Sequence, residues 1–157
     1  MYQYSDRIVQ FIRSWEGCSL TAYKKGDDKE TIGWGNTEYE DGTPVKLGDL
    51  ITQERADELN IRWCDKLNNL MNKFVGLPEE LSQNQYDSLF SFAYNCGSGA
   101  LKTSTLLKRI KLDPLDPDIK VQYLRWINKG SIFEAGLRKR RTAEYEIYFD
   151  NIYNDNE

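Results

Sequence analysis

The stretch that decides the fold is WEGCSLTAYKKGDDKETIGWGNT, which spans residues 15–37. It follows a segment, residues 5–15, whose apolar side chains recur at the three- and four-residue spacing of an amphipathic helix. Gly17 then ends the helical pattern. Between residues 18 and 36, β-branched and aromatic residues stand on both sides of the turn sequence Gly26-Asp27-Asp28. The stretch therefore predicts a helix that leads directly into a short β-hairpin.

The segments after the hairpin have helical periodicity. A segment of about 22 residues begins near Thr52 and ends at Gly76, and Phe74 belongs to its predicted apolar face. Ser82 and Gln85 have the spacing of a capping box for the next helix, which Gly97 ends. Three further helices are predicted. The first covers about residues 104–110, and the last runs from residue 135 or 136 to 149. The middle one begins at Asp116-Pro117, includes Val121, Leu124 and Trp126, and ends at Gly130.

One helix, a hairpin and five helices predict an α+β fold that is mostly helical. At 157 residues the chain has the usual length of a single domain. Within it we expect a small N-terminal β-hairpin lobe over about residues 17–50 and a larger helical lobe over about residues 52–150.

The composition excludes several kinds of catalytic site. The chain contains no histidine, which excludes Ser-His-Asp and Cys-His nucleophile systems and most catalytic zinc sites. Hydrolytic chemistry would therefore rest on carboxylates, and we predict neither a metal nor a cofactor. The net charge of −4 argues against a nucleic-acid partner. Nothing in the sequence predicts an oligomer, so we expect a monomer.

The cysteines and the N-terminus bear on the compartment. Cys18, Cys64 and Cys96 are odd in number and contain no C-x-x-C pair, which favours reduced thiols in the cytosol. No stretch approaches the roughly 18 apolar residues of a membrane span, so we predict no membrane insertion. Residues 1–7 lead into an amphipathic pattern without the features of a signal peptide, so we expect no secretory signal.

Glu16 is the first candidate for chemistry. It follows Trp15 at the C-terminal end of the first predicted helix, where the negative end of the helix dipole opposes a carboxylate. Dipole and partial burial would both raise the pKa of this carboxyl group, as a general acid near neutral pH requires. The alternative is a solvated glutamate without a catalytic role.

Four blocks of the chain resemble the phage-type lysozymes, glycoside hydrolase family 24. The blocks are WEGCSLTAY at residues 15–23, TIGWGNT at residues 31–37, NQYDSL through FAYN at residues 84–95, and GLRKRR with the following glutamate at residues 136–144. They stand in family order, and the resemblance covers about residues 8–149. It implies a lysozyme-like fold and a muramidase that needs no cofactor. Its substrate would be bacterial peptidoglycan, cut at the β-1,4 bond between N-acetylmuramic acid and N-acetylglucosamine.

The resemblance also implies roles for single residues. Glu16 corresponds to the catalytic glutamate of the family and Thr31 to its catalytic threonine, whose hydroxyl can help to hold a water molecule. Thr31 could equally be a β-branched residue that packs in a strand. The substrate-binding candidates, placed along the cleft floor where a sugar can approach the backbone, are Gly33, Trp34 and Gly35. Arg140 and Arg141 are further candidates for substrate contact, with solvated surface charge as the alternative.

Lys25 departs from the family pattern. The family places an aspartate, or in some members a cysteine, nine residues after the glutamate, and this chain has Lys25 there. An ammonium group cannot act as a base or stabilise an oxocarbenium-like transition state. Asp27 and Asp28 in the predicted turn are candidates for the second carboxylate, with solvated turn residues as the alternative. A second departure is Asn36, where the family often has a histidine.

Two functions of different classes follow. The first is an active endolysin, which would collect in the host cytoplasm and reach the cell wall after the inner membrane is opened. The second is a catalytically impaired, lysozyme-like glycan-binding module, because Lys25 occupies the usual position of the second carboxylate. Chitinase-like hydrolysis is a third, weaker prediction.

Overall fold

The computed structural model describes residues 1–149, which divide into two compact units. One unit comprises residues 9–66. The other comprises residues 1–8 together with the described residues from 67 onward. The lobe boundaries derived from the sequence remain predictions.

The first helix and the hairpin form where the sequence predicts them. Helix α1 spans Asp6–Glu16 and ends at Gly17, which has a left-handed φ of 66° and donates its N–H to the carbonyl of Arg13 at 3.1 Å. Strands β1 (Ser19–Tyr23) and β2 (Thr31–Gly33) pair antiparallel, with an irregularity in the register between their two paired positions. The sharp turn at glycine thus brings the end of α1 directly to the start of β1.

A small apolar core holds the hairpin. Ala22 from β1 and Ile32 from β2 are buried together with Val45, and Tyr39 and Ile51 pack against them. Because successive strand residues alternate between the two faces of a sheet, burial of Ala22 and Ile32 leaves their neighbours on the opposite face. That opposite face carries the candidate site.

Thr52 precedes helix α2 (Gln53–Leu70), and its hydroxyl accepts a hydrogen bond from the Arg55 N–H at 3.1 Å. The prediction that Phe74 continues its apolar face is wrong, since this side chain is 60% exposed. The reason is a π-helical turn over Met71–Val75, whose wider turn shifts the buried positions to Met71 and Val75. Gly76, with φ of 72°, ends the segment as predicted.

The other unit is built around helix α3 (Gln83–Cys96). Its predicted capping box is confirmed, with the Gln85 N–H donating to Ser82 Oγ at 3.2 Å and the Ser82 N–H donating to Gln85 Oε1 at 2.9 Å. Residues 86–93 of α3 are all buried, because helices α4 (Ser98–Thr103) and α7 (Glu134–Tyr148) pack against them.

Two details of the helical part differ from the prediction. Helix α4 was not predicted, because Gly97 indicated a stop, and it places only Leu101 in the core before Ser104 caps helix α5 (Thr105–Leu112). The helix predicted from Asp116-Pro117 to Gly130 is limited to α6 (Asp118–Tyr123). Beyond α6 the chain leaves the helix, and the Trp126 ring packs edge-on against Phe92 with centroids 5.2 Å apart. Val121 lies within α6, as predicted, and is 50% exposed.

The predicted α+β architecture, mostly helical with one hairpin, is confirmed. Across the described residues, helices are too short or too polar to cross a lipid bilayer.

Candidate active site

Glu16 lies at the C-terminal end of α1, beside a shallow depression with a volume of about 300 Å³. The turn at Gly17 creates this arrangement, because the last residue of α1 and the first residues of β1 border the same surface. The residues that line the depression are Glu16, Gly17, Cys18, Ser19, Tyr23 and Lys25. The half-buried Glu16 therefore has a carboxyl group that a ligand in the depression can reach.

Gly35 lies directly against the Glu16 side chain. A Cβ atom added to Gly35 would stand 2.8 Å from Glu16 Oε2 and 3.3 Å from Glu16 Cδ, and the φ of Gly35 is 93°. Glycine adopts this backbone conformation without strain, and its lack of a side chain leaves room for the carboxyl group. The structure thus brings together two residues that the sequence predicted for the same site.

Tyr23 connects Glu16 with the second strand. Partial burial raises the pKa of the Tyr23 phenol above its ordinary value, and the nearby charge of Glu16 raises it further. Tyr23 stands opposite Thr31 in the hairpin, and residues that pair across strands point to the same face. Thr31 is therefore placed on the face of the hairpin that borders the depression.

The hydroxyl group of Thr31 acts as a hydrogen-bond donor within the hairpin. Its Oγ1 donates a hydrogen bond to the carbonyl of Lys29 at 3.0 Å. Since a hydroxyl has one proton and two lone pairs, Oγ1 retains lone pairs that can accept a hydrogen bond from water.

Gly33 pairs with Ser19 across the two strands, and a Cβ added to Gly33 would approach the Ala56 side chain to 3.5 Å.

Lys25, rather than Asp27 or Asp28, lines the depression with Glu16. The Lys25 ammonium lies 5.7 Å from the centroid of the Tyr23 ring. Asp27 and Asp28 are exposed in the turn, where the Asp28 N–H donates to the carbonyl of Lys25 at 3.0 Å. The position of the usual second carboxylate is thus filled by a positive charge at the same depression.

Trp34 is anchored from two sides. Its Nε1 donates to Asp57 Oδ1 at 2.7 Å, and the guanidinium carbon of Arg13 lies 5.3 Å from its ring centroid. The Trp34 hydrogen bond lowers the pKa of Asp57 below its ordinary value, and a second bond from Gln53 adds to this effect. The indole is therefore held in one orientation next to Gly35.

Several supporting residues were not found from the sequence. Asp57, Arg13 and Gln53 carry no local signal, because their roles depend on how α1 and α2 meet the hairpin. Asn36, where the family often has histidine, is buried and donates from Nδ2 to the carbonyl of Leu59 at 3.4 Å. It thus ties the hairpin to α2.

Arg140 and Arg141 lie in the other unit and are 4% and 0% exposed, so the interpretation as solvated surface charge is wrong. Both pair with the buried Glu144, Arg140 through Nε to Oε1 at 3.2 Å and Arg141 through Nη1 to Oε2. Arg141 also donates from Nη2 to Oδ1 of the exposed Asn95, and from Nε to the carbonyl of Trp126 at 3.1 Å. Burial is tolerated because Glu144 stands three and four residues later on the same helix face.

The cysteines are free thiols: Cys18 is exposed in the depression, Cys64 is buried and Cys96 is half-buried. Within residues 1–149, no cluster of three or more carboxylate, thiol or imidazole side chains has the arrangement of a metal site.

Comparison with known proteins identifies the family of the chain. A family model described as phage lysozyme matches residues 13–144. An endolysin from Acyrthosiphon pisum secondary endosymbiont phage 1 is 31% identical, over 92% of this chain and 96% of that protein. The endolysin of Bacillus phage B103 is 33% identical over 89% of this chain, which spans only 51% of that longer protein. The solved structure of an endolysin from Escherichia coli O157:H7 phage FAHEc1 superposes with a TM-score of 0.83 at 31% identity, and covers 97% of this chain and 96% of that one.

Proposed function

The chain belongs to the phage lysozyme family, and on this premise we propose that it is a peptidoglycan muramidase with Glu16 as its general acid. It hydrolyses the β-1,4 bond between N-acetylmuramic acid and N-acetylglucosamine. The observation that carries the residue assignment is the position of Glu16, whose carboxyl group lies against Gly35 and borders an open depression. The glycan-binding alternative is not retained, since family and relatives are named for lysozymes and endolysins.

Glu16 gives its proton to the glycosidic oxygen as the bond to the leaving sugar breaks. The other face of the sugar then needs a nucleophile. We assign Thr31 to hold the attacking water, because its hydroxyl proton is donated to the Lys29 carbonyl and its lone pairs can accept a hydrogen bond. A water that donates to Thr31 Oγ1 keeps its own lone pair for attack on the anomeric carbon.

The nucleophilic water is activated by a carboxylate in hydrolases of this type. Asp27 and Asp28 are the candidates, since both follow Lys25 in the turn that borders the site. Neither lines the depression, so the role proposed for one of them is tested directly by substitution. Gly33, Trp34 and Gly35 form the proposed surface for the sugar chain. A contact of Arg140 or Arg141 with the substrate stays a prediction, and both side chains are buried.

Glu16→Gln tests the acid directly, because it removes the transferable proton at almost constant volume. We expect it to abolish turbidity loss of purified peptidoglycan while the melting temperature remains that of the wild type. Glu54→Gln is the matched control, since Glu54 is exposed in the first turn of α2 and does not line the depression. Activity of a folded Glu16→Gln protein within about tenfold of the wild type would exclude Glu16 as the acid.

A pair of variants tests the second carboxylate. If one aspartate activates water, then either Asp27→Asn or Asp28→Asn should reduce kcat by about a hundredfold or more, and the other should have little effect. In kcat, Lys25→Asp would then be neutral or mildly harmful, because a further carboxylate near Glu16 adds like charge. Full activity in both asparagine variants would show that neither aspartate has this role.

Because the proposed substrate is peptidoglycan, the proposed site of action is the bacterial cell wall. Accumulation in the host cytoplasm before the inner membrane opens, a monomeric state and the lack of nucleic-acid binding remain predictions. Cell fractionation before and after membrane permeabilisation tests the first, and sedimentation velocity of the full chain tests the second.

A further inference from the structure

Lys25 brings an unneutralised positive charge to the depression that contains Glu16. Within residues 1–149 its ammonium group forms no ion pair, and its described interaction is with the face of the Tyr23 ring. The ring face attracts the cation and limits the positions that the flexible side chain takes up. The exposed Lys25 side chain thus borders the depression and contacts the Tyr23 ring there.

The charge of the depression depends on the proton of Glu16. A general acid must be protonated when the substrate binds, and Glu16 is then neutral. Lys25 is then the one charged side chain among the residues that line the depression. The form of the site that is ready for catalysis is thus net positive, so that it favours a substrate with a negative group beside the scissile bond.

We propose that Lys25 binds a carboxylate of the muramic acid unit and makes the enzyme selective for anionic glycan strands over neutral ones. This inference rests on the proposed muramidase function. Lys25 would donate up to three hydrogen bonds to the carboxylate, at the position where the family pattern has an acid. An aspartate there would repel the same group.

Two parts of peptidoglycan supply such a carboxylate. The lactyl group of N-acetylmuramic acid has a free carboxylate where no peptide is attached. Where a stem peptide is attached, the lactyl carboxyl is an amide, and the peptide itself carries free carboxylates. Oligomers of N-acetylglucosamine have the same β-1,4 backbone and neither group, so they serve as the neutral substrate.

The kinetic test compares Lys25→Gln, Lys25→Arg and the control Lys24→Gln on three substrates. These are intact peptidoglycan, glycan strands freed of peptide by an amidase, and N-acetylglucosamine oligomers. We expect Lys25→Gln to raise KM about fivefold on an anionic substrate, with kcat nearly unchanged and no effect on the neutral oligomer. Lys25→Arg should restore KM because it keeps the charge. Lys24→Gln should have no effect, since Lys24 is exposed and does not line the depression.

The pattern of substrates identifies the source of the carboxylate. An increase in KM on peptide-free strands alone assigns the lactyl carboxylate, and an increase on intact peptidoglycan alone assigns the stem peptide. Equal KM values for Lys25→Gln and Lys24→Gln on both anionic substrates would overturn the inference.

A binding measurement separates this inference from the catalytic proposal. In a Glu16→Gln background, we expect Lys25→Gln to weaken binding of a soluble disaccharide-peptide fragment about fivefold at low salt, with a smaller difference at high salt. An unchanged Kd for this fragment, together with an unchanged KM on peptide-free strands, would overturn the role of Lys25. Absence of cleavage by the wild type, with Lys25-dependent binding intact, would instead refute the muramidase function alone.

Discussion

Gly35→Ala tests whether the close approach of Gly35 to Glu16 positions the catalytic carboxyl group. The new methyl group would stand 2.8 Å from Glu16 Oε2, whereas ordinary contact begins at 3.4 Å. The carboxyl group must therefore move by about 0.6 Å, because it is the flexible end of a side chain, while the backbone at Gly35 lies in a turn closed by two hydrogen bonds between Ile32 and Asn36.

The two consequences of this substitution differ in size. An alanine at a left-handed φ costs about 1–2 kcal/mol of stability, and the displaced carboxyl end adds little to this cost. Catalysis is more sensitive, since a misplacement of about 1 Å in a reacting group can cost roughly 100-fold in rate. We therefore expect kcat to fall about 10- to 100-fold in Gly35→Ala.

Gly48→Ala is the matched control. Gly48 has a φ of 98°, close to the 93° of Gly35, but an added Cβ there would meet no atom within 4 Å. Both variants should therefore show the same loss of stability in urea denaturation, and only Gly35→Ala should lose turnover on purified peptidoglycan. Equal kcat in the two variants, measured below their unfolding transitions, would refute the positioning role of Gly35.

Two further predictions concern the residues that support the sites. Trp34→Phe keeps an aromatic ring but removes the Nε1 donor, so the pKa of Asp57 should rise toward its ordinary value. An NMR titration of the Asp57 carboxyl group measures this pKa, and an unchanged value would contradict the role of the Trp34 hydrogen bond. In the wild type, the lowered pKa of Asp57 stabilises the fold at pH values above the ordinary pKa of an aspartate, and this stabilisation is lost as the pH falls. The variant lacks part of this contribution, so it should lose less stability than the wild type on acidification. Arg141→Met leaves Glu144 buried with one partner fewer, and urea denaturation should show a loss of about 3–5 kcal/mol. A loss below about 1 kcal/mol would show that this ion pair does not support the fold.

The confirmed elements have local causes in the sequence. Ser82 and Gln85 satisfy each other's backbone groups within one helical turn, so their spacing alone predicts the start of α3. The order of an amphipathic segment, Gly17 and a strand-forming run predicts in the same way that Glu16 stands between a helix and a hairpin. The family resemblance then connected Glu16 with a reaction.

The errors arise where packing between distant segments decides the structure. Phe74 has the spacing of a core residue, yet the π-helical turn gives its place to Met71 and Val75. Trp126 matches a helical pattern, but α6 ends at Tyr123, before this residue, and the Trp126 ring packs against Phe92. Arg141 belongs to a basic run that resembles a solvated surface, and it is fully buried.

The sequence by itself determined the helix-hairpin order, the helix ends at Gly17 and Gly76 and the place of Glu16 at a helix terminus, because caps, turns and periodicity act within a few residues. Only the tertiary structure decided that Gly35 lies against Glu16 and that Lys25, not Asp27 or Asp28, lines the depression. These relations depend on which faces of α1 and the hairpin meet, and that choice follows from burial of apolar surface contributed by the whole chain.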